Sequence, residues 1–284
     1  MPGGLGFVQR VRDRPVEFSV ICVYHDETIL RENLLKGLRE QTKEFELILL
    51  DNRKGTFKSG SEALNYGGNK AKGKYLIFLH SDVVLRGKHW LDSATAFLQK
   101  VPKLGCAGSV GAREGVQYPH SGIVGFIKDG RSGLRGEPLG KPELVQTLDE
   151  CLLIVPRRLF SKLKFDEETF KSWHCYGADY CLNAKRIHGL DTYVLPLLIE
   201  HNTSGFATGL GNLAKDREKL FHKHKDRFKQ IALTTGFIDA SKSSSGLMHY
   251  LFESLVLAFI FLKQPKLLPY RAKSFLRYMI WRVT

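Results

Sequence analysis

Three stretches of this chain share one pattern, a continuous apolar run that breaks into polar residues at its C-terminal end. They are FSVICVYHD (18–26), FELILLDNRKG (45–55) and YLIFLHSDV (75–83). Runs of this length without alternation predict strands buried on both faces, as in parallel sheets. Between the first two lies ETILRENLLKGLREQ (27–41), where Ile29, Leu30, Leu34, Leu35 and Leu38 recur at helical spacing. Between the second and third lies the shorter SEALNYGGNKAKG (61–73), with Ala63, Leu64 and Gly67 on one side. Strand, helix, strand, helix, strand predicts a right-handed, mostly parallel, doubly wound α/β sheet.

Open sheets of this kind bind ligands beyond the carboxyl ends of their strands. Tyr24, Asp51 and Asp82 then gather along one edge. A carboxylate at such a position either caps the element that follows or meets a positive partner, commonly a divalent cation that carries a phosphate. Three polar ends in one place favour a nucleotide or phosphate crevice over three unrelated caps.

The chain has 284 residues, 43% apolar and 25% charged, which allows one core of roughly 200 residues with an appendage. The net charge of +14 changes the picture because it is unevenly placed: residues 211–284 hold 14 Lys and Arg against 5 Asp and Glu. A basic segment of this size calls for an anionic partner, whether nucleic acid, acidic lipid or a phosphorylated substrate. The 5 cysteines (Cys22, Cys106, Cys151, Cys175 and Cys181) are odd in number and form no CxxC pair. They point to a reducing compartment, and indicate neither a zinc site nor a disulfide framework. The opening MPGGLGFVQRVRDRP has no hydrophobic signal region, which argues against export.

The string FSVICVYHDETILRENLLKGLREQTKEFELILLDN resembles the opening of family-2 glycosyltransferases of the GT-A fold. In those proteins a strand ending in a small polar or tyrosyl stretch is followed by a helix ending in Gln and a strand ending in Asp-Asn. ALNYGGNKAKGKYLIFLHSDV is similar to their next block, an Asn-containing helix before the strand that ends in a metal-binding acidic motif. FDEETFKSWHCYGADYCLNAKRIHGLDTYVLPLLIEHNTSG (165–205) resembles their acceptor-side block. The resemblance spans about residues 16–205. It implies a Rossmann-like GT-A domain over 1–210, followed by a basic and apolar helical region over 211–284.

By position, the resemblance implies that Tyr24 and Asp51 line the nucleoside pocket and that Asn65 lies near the same nucleotide. Asp82 would be the surviving carboxylate of a DxD-type motif, binding Mn2+ or Mg2+ on the diphosphate of a UDP-, dTDP- or GDP-linked sugar. His201 matches a histidine that completes the metal site, and Asp179 matches the acid that deprotonates the acceptor hydroxyl. One such base and direct displacement imply inversion at the anomeric carbon. The chain departs from the family at two places. His80 stands where the first acid of the metal motif belongs, so it ligates metal, contacts phosphate or packs. Gly177-Ala178 precede Asp179 where the family's acceptor helix often starts with Glu-Asp, leaving Asp179 as the one candidate base.

Taken singly, several of these residues also have ordinary readings. Asp179 reads as a helix N-cap, His201 as a solvated loop histidine, and Asp51-Asn52 as a turn pair. Asp149 and Glu150, ahead of CLLIVPRRLF, read as substrate contacts or as a hydrated strand entry. Trp173 and Tyr176 read as a platform for a sugar ring or as core aromatics. Residues 111–142, rich in glycine, read as a mobile loop over the donor or as a surface hairpin.

Further on, NLAKDREKLFHKHKDRFKQIAL (212–233) is a basic helix pattern with Leu220, Phe221 and Phe228 on one side. LMHYLFESLVLAFIFL (247–262) is apolar but shorter than the roughly 20 residues a spanning helix needs. It is followed by KQPKLLPYRAKSFLRYMIWR (263–282), where Lys and Arg alternate with apolar and aromatic residues. Such composition predicts helices in a membrane interface, facing anionic headgroups, or a helical subdomain packed on the core. The expectation is therefore a metal-dependent inverting glycosyltransferase, cytoplasmic and peripheral at the inner face of the cell membrane. It would move a sugar from a nucleotide-sugar to a glycan or lipid-linked acceptor in cell-surface polysaccharide synthesis. The alternative is a catalytically inactive relative that binds nucleotide or glycan. A nucleic-acid partner is not expected, since the chain has no zinc finger, RNA-binding aromatic signature or helix-turn-helix spacing.

Overall fold

The three apolar runs lie side by side as parallel strands of an eight-stranded sheet in a computed structural model, which describes residues 8–9, 15–115, 122–129, 133–136, 138–202, 210–234 and 236–239. A short edge strand, β1 (Val8–Gln9), precedes β2 (Phe18–Tyr24), and helices α1 (Glu27–Glu32) and α2 (Leu34–Arg39) lead to β3 (Glu46–Asp51). Helix α3 (Gly60–Lys70) leads to β4 (Tyr75–His80). The helix expected over 27–41 is broken at Asn33, whose Nδ2 donates to the Ile29 carbonyl at 2.8 Å. An asparagine side chain that bonds the backbone competes with the helical ladder.

After β4 come β5 (Val83–Leu85), α4 (Trp90–Leu98), β6 (Leu104–Gly108), β7 (Val110–Ala112), β8 (Ile123–Asp129) and β9 (Gly133–Gly136). Of the two readings of 111–142, loop or hairpin, the last three agree with the hairpin, since β8 pairs antiparallel with β7 and β9. Two of its glycines are positions of close backbone approach: a Cβ at Gly111 would lie 2.6 Å from the Thr147 carbonyl oxygen, and one at Gly125 (φ +117°) would lie 2.1 Å from that of Ser109. Next are β10 (Glu143–Val145), β11 (Thr147–Leu148), β12 (Leu152–Pro156), α5 (Arg157–Phe160) and α6 (Tyr176–His188). The chain continues through β13 (Asp191–Val194), β14 (Ile199–His201), α7 (Leu210–His224), β15 (Gln230–Leu233) and β16 (Gly236–Asp239).

The large sheet has the order β1-β3-β2-β4-β12-β6-β13-β10. Strands β3, β2, β4, β6 and β13 run one way, and β1, β12 and β10 the other. The sheet is mostly parallel, as the sequence pattern predicts, but β12 enters its middle antiparallel. A second, six-stranded sheet has the order β11-β7-β8-β14-β5, with β9 on β8.

Both faces of the central strands are buried. Val20, Cys22, Ile77 and Leu79 share a cluster with Leu30, Leu34, Leu38, Trp90 and Leu91. The alternate residues Ile21 and Leu50 meet α3, while Phe78 packs on Phe160 and Phe165. Helix α3 lies this close because a side chain is absent at Gly67 and Gly68, where a Cβ would fall 2.5 Å from Ile21 and Phe160 respectively.

The chain divides into two units, residues 1–203 with 232–237, and residues 204–231 with 238–284. In the second, α7 buries Leu220 and Phe221. The helix expected to run to 233 stops at His224, and the run Gln230–Leu233 is a strand. Its apolar residues, followed by Thr234 and Thr235, suit extended backbone better than helix. The patterns at 247–262 and 263–282 lie outside the described residues. Among the described residues no helix is long and apolar enough to cross a membrane.

At the amino ends of the parallel strands, the Gly73 N–H donates to Ser19 Oγ at 2.7 Å, and that hydroxyl donates to Glu46 Oε2 at 2.5 Å. A Cβ at Gly73 would lie 2.5 Å from the Ser19 backbone nitrogen. Gly73→Ala is expected to cost about 1–3 kcal/mol, the usual range for overpacking, read as a lower urea midpoint at constant m. An unchanged midpoint would show that this backbone yields freely.

Candidate active site

Strand β4 ends at His80, and the turn after it delivers Asp82 to the start of β5, so Asp82 caps no helix. β5 pairs antiparallel with β14, Leu85 opposite Ile199 and Val83 opposite His201. The Asn202 N–H closes this ladder by donating to the Asp82 carbonyl at 2.9 Å. Alternation along β14 sends His201 toward Asp82, while Glu200 pairs with Arg86 and Lys128. His201 Nε2 lies 3.3 Å from Asp82 Oδ1, and the His80 and His201 ring centroids are 5.7 Å apart. One ligand atom from each of His80, Asp82 and His201 falls within 4.8 Å of the other two. His201 is thus a strand residue with a side chain only 17% exposed, not a solvated loop histidine.

Burial holds the His80 imidazolium below its ordinary range and outweighs the opposing pull of Asp82. The ring is therefore neutral near pH 7 and offers a lone pair. For Asp82, burial pushes upward, but the His201 and His80 imidazoles beside it outweigh it, and the carboxyl titrates below its usual range. Two imidazoles and one carboxylate, all partly buried, form a donor set that fits a divalent cation. Its nitrogen content suits Mn2+ better than Mg2+, which prefers oxygen alone.

Because β12 runs antiparallel to β4, the residues that enter it lie beside the end of β4. The His80 N–H donates to the Cys151 carbonyl at 3.1 Å. Asp149 takes the Cys151 N–H on Oδ1 at 3.0 Å and the Thr234 hydroxyl on Oδ2 at 2.7 Å. Burial raises the Asp149 carboxyl, but His201 and these two donors more than offset it, and it too titrates low. Glu150 Oε1 accepts the Gly177 N–H in the first turn of α6 at 2.8 Å.

Two residues expected at the site from α6 lie inside the fold. Tyr176 is 3% exposed, its ring packed on Phe165 and its hydroxyl 3.5 Å from His80 Nε2, so it presents no face to a sugar. Asp179 is 0% exposed and accepts from Asn183 Nδ2 at 3.0 Å, one helical turn along. A carboxylate with no open surface is badly placed to meet an incoming hydroxyl, and Asp179 is not the N-cap either, which is Cys175.

A second group of residues lines the ends of β2 and β3. Tyr24 lies opposite Asp51, and the Asn52 N–H donates to the Tyr24 carbonyl at 2.9 Å. Arg53, which the sequence pattern did not single out, dominates this group. Its Nε and terminal nitrogen reach both oxygens of Asp51 at 3.1 Å or less, it donates to Glu27 at 2.9 Å, and its guanidinium lies 5.8 Å from the centre of the Tyr24 ring. His25 was missed as well; its Nε2 is 2.9 Å from Asn52 Nδ2. Trp173 stands edge-on to the His25 ring at 4.9 Å, which puts it with the Tyr24–Asp51 group. The DNR triplet after an apolar run is the available signal for Arg53, since a residue two positions beyond an aspartate readily folds back onto it.

Asn65 is turned inward. It is buried, its Nδ2 donates to the Phe165 carbonyl at 2.8 Å and to Glu167 at 2.6 Å, and its Oδ1 accepts the Phe165 N–H at 3.0 Å. Its amide clamps α3 to the 165–167 segment, which engages both of its N–H donors.

The family model described as Glycosyltransferase like family matches residues 19–198. In sequence the chain is 29% identical over 231 residues to "ATP synthase subunits region ORF 6" of Fuscovulum blasticum, covering 78% of this chain and 89% of that one. In structure it is similar to the mannosyltransferase PcManGT from Pyrobaculum calidifontis, in complex with GDP-Man and Mn2+ (TM-score 0.55, 13% identity, 94% of this chain and 88% of that chain). It is also similar to GalNAc-T7 with UDP, GalNAc and Mn2+ (TM-score 0.54, 13% identity, 74% of this chain and 48% of that chain), and so spans about half the length of GalNAc-T7. At these identities the likeness is one of fold, and the fold is GT-A.

The Arg53 clasp holds the Asp51 carboxyl at about 2, below its ordinary 3.8. A depressed carboxyl adds stability that is present above its ordinary value and lost as pH falls through about 2. Arg53→Ala is expected to return the Asp51 titration, followed by carboxyl-carbon NMR, toward 3.8. An unmoved titration would show that the clasp does not form in solution.

Proposed function

This chain belongs to the Glycosyltransferase like family, and on that premise we propose that it transfers a sugar from a nucleotide-sugar at a divalent-metal site made by His80, Asp82 and His201. One observation carries the metal assignment: three ligating side chains, far apart in the chain, meet within 4.8 Å at the carboxyl edge of the sheet. That two proteins of similar fold were obtained with Mn2+ and a nucleotide or nucleotide-sugar supports the same reading.

In this reading the nucleoside lies against Tyr24 and Trp173, with Asp51 and Arg53 at its polar edge. A UDP-, dTDP- or GDP-linked donor fits this description. The diphosphate runs from there toward the end of β4, where neutral His80, ionised Asp82 and the His201 ring face it. A divalent cation held by these three residues would offset the charge that grows on the departing diphosphate, more in the transition state than in the ground state. Asp149, fixed through both oxygens, holds a second negative charge near His80 and His201.

Direct displacement by an acceptor hydroxyl inverts the anomeric centre. The excess of Lys and Arg over residues 211–284 supports an acceptor on an anionic surface, a glycan or lipid-linked sugar at the inner face of the cell membrane, as in cell-surface polysaccharide synthesis.

The test is hydrolysis of a panel of UDP-, GDP- and dTDP-sugars by the full chain with Mn2+. Asp82→Asn is expected to weaken Mn2+ binding, measured by equilibrium dialysis, and to slow hydrolysis about a hundred-fold or more, the scale of losing one electrostatic partner of a transition state. Hydrolysis by Asp82→Asn at the rate of the natural protein would contradict the assignment.

A further inference from the structure

Five cations gather at the edge of the large sheet opposite the metal cluster. Lys72 and Lys74 precede β4, Lys103 precedes β6, and Arg157 and Arg158 follow β12; all five line one cavity of about 650 Å3. His80 and Asp82 lie at the other end of β4, about 20 Å away along the strand.

The segments that carry the cations are fixed to one another. Tyr75 lies opposite Pro156 where β4 and β12 pair, and just beyond, the Arg157 N–H donates to the Lys74 carbonyl at 2.9 Å. Arg157 Nε donates to the Gly73 carbonyl at 3.0 Å, which anchors the guanidinium and leaves its two terminal nitrogens as further donors. Lys103 stands at φ +46°, in the left-handed region that a residue with a Cβ adopts at a cost, and its carbonyl takes the Asp191 N–H at 2.7 Å.

Cations elsewhere in this unit meet carboxylates: Arg31 and Arg53 pair with Glu27, Lys43 with Glu17, and Lys185 with Asp191. Among the described residues none of the five does so, and no Asp or Glu lines the cavity. Two carboxylates at the starts of neighbouring strands are committed elsewhere. Glu17 takes Lys43 and the Thr95 hydroxyl, and buried Glu46 takes the Ser19 hydroxyl and the Lys72 backbone N–H. Like charges around one cavity repel, and a bound anion relieves them. The buried side chains that line the same cavity, Tyr75, Leu98, Leu104 and Pro156, are apolar or aromatic. Exposed cations above a buried apolar floor suit an anion carried on an apolar body.

We propose that this cavity binds a phosphate group borne on an apolar body, at a site distinct from the metal cluster. Arginine meets phosphate oxygens with a planar fork of donors, and lysine as a point charge. An acidic phospholipid headgroup and a soluble phosphate ester offer the same chemistry. The inference does not rest on the glycosyl-transfer reading.

The experiment uses the full chain without Mn2+. Phenyl phosphate, followed by calorimetry, is expected to bind more tightly than inorganic phosphate, and to shift the amide NMR signals of residues 72–75, 103–104 and 157–158. Lys103→Glu with Arg158→Glu, both exposed, should weaken it at least about tenfold, the usual worth of a hydrogen bond between charged groups. Lys36→Glu with Arg39→Glu makes the same change in net charge on the exposed side of α2, and should leave the affinity within about twofold, since remote surface charges are screened. Asp82→Asn should also leave it unchanged. Vesicles of phosphatidylcholine with phosphatidate then separate the sources. Retention that the Lys103–Arg158 variant loses and phenyl phosphate displaces identifies a lipid headgroup, whereas phenyl phosphate binding with retention the variant does not alter identifies a soluble ester. No binding of phenyl phosphate together with variant-independent retention, or binding that the α2 variant weakens equally, would overturn the proposal. Loss of binding in Asp82→Asn alone would move the phosphate to the metal cluster and overturn it too, with the transfer reading left standing.

Discussion

The short antiparallel pairing of β5 with β14 is the constraint on which the rest of the site depends. It places His201 opposite Val83 and lets the Asn202 N–H reach the Asp82 carbonyl at 2.9 Å. A slip of one residue would exchange faces along the strand and bring Glu200, with its Arg86 and Lys128 partners, to the position His201 holds. The register is locked from a third side. Asn202 Nδ2 donates at 2.6 Å to Oδ1 of Asn33, the residue that breaks the helix between β2 and β3. The broken helix therefore belongs to the support of the site.

Much of this fold is legible in the sequence, and for a clear reason. FSVICVY, ELILLD and YLIFLH are apolar without alternation because each strand has a packed layer on both faces, and that pattern survives in one dimension. Orientation does not survive in the same way. LLIVP reads alike in either direction, so nothing in it announces that β12 enters antiparallel and carries Asp149 and Glu150 to the end of β4. Glycine is equally ambiguous. Gly111 and Gly125 read as loop signals, yet both sit where a neighbouring segment's carbonyl leaves no room for a Cβ.

The site residues divide along the same line. Asp82 and His201 are visible because metal chemistry demands particular side chains at strand ends. Asn65 misleads because its partners are the backbone of Phe165 and the side chain of Glu167, and no local pattern reports contacts made so far along the chain. Asp179 is hard to read for a related reason: its position in a helix is clear, but which side of α6 is closed off is not. Arg53 shows the reverse case, a local contact with Asp51 that is open to view. The carboxylates are thus sorted by surroundings and not by type. One meets two imidazoles, one is pinned by two donors, one is buried in a helix, and one takes a backbone N–H in the first turn of α6.

The central claim is that His80, Asp82 and His201 bind one divalent cation. Its most direct test is anomalous X-ray scattering from crystals of the full chain grown with Mn2+ and a nucleoside diphosphate. The account expects a single strong manganese peak bounded by the two imidazoles and the Asp82 carboxylate, at roughly 2–2.4 Å from each ligand atom, the range for ions of this kind. Saturating Mn2+ with no peak between these three side chains, or with its peak elsewhere, would contradict it.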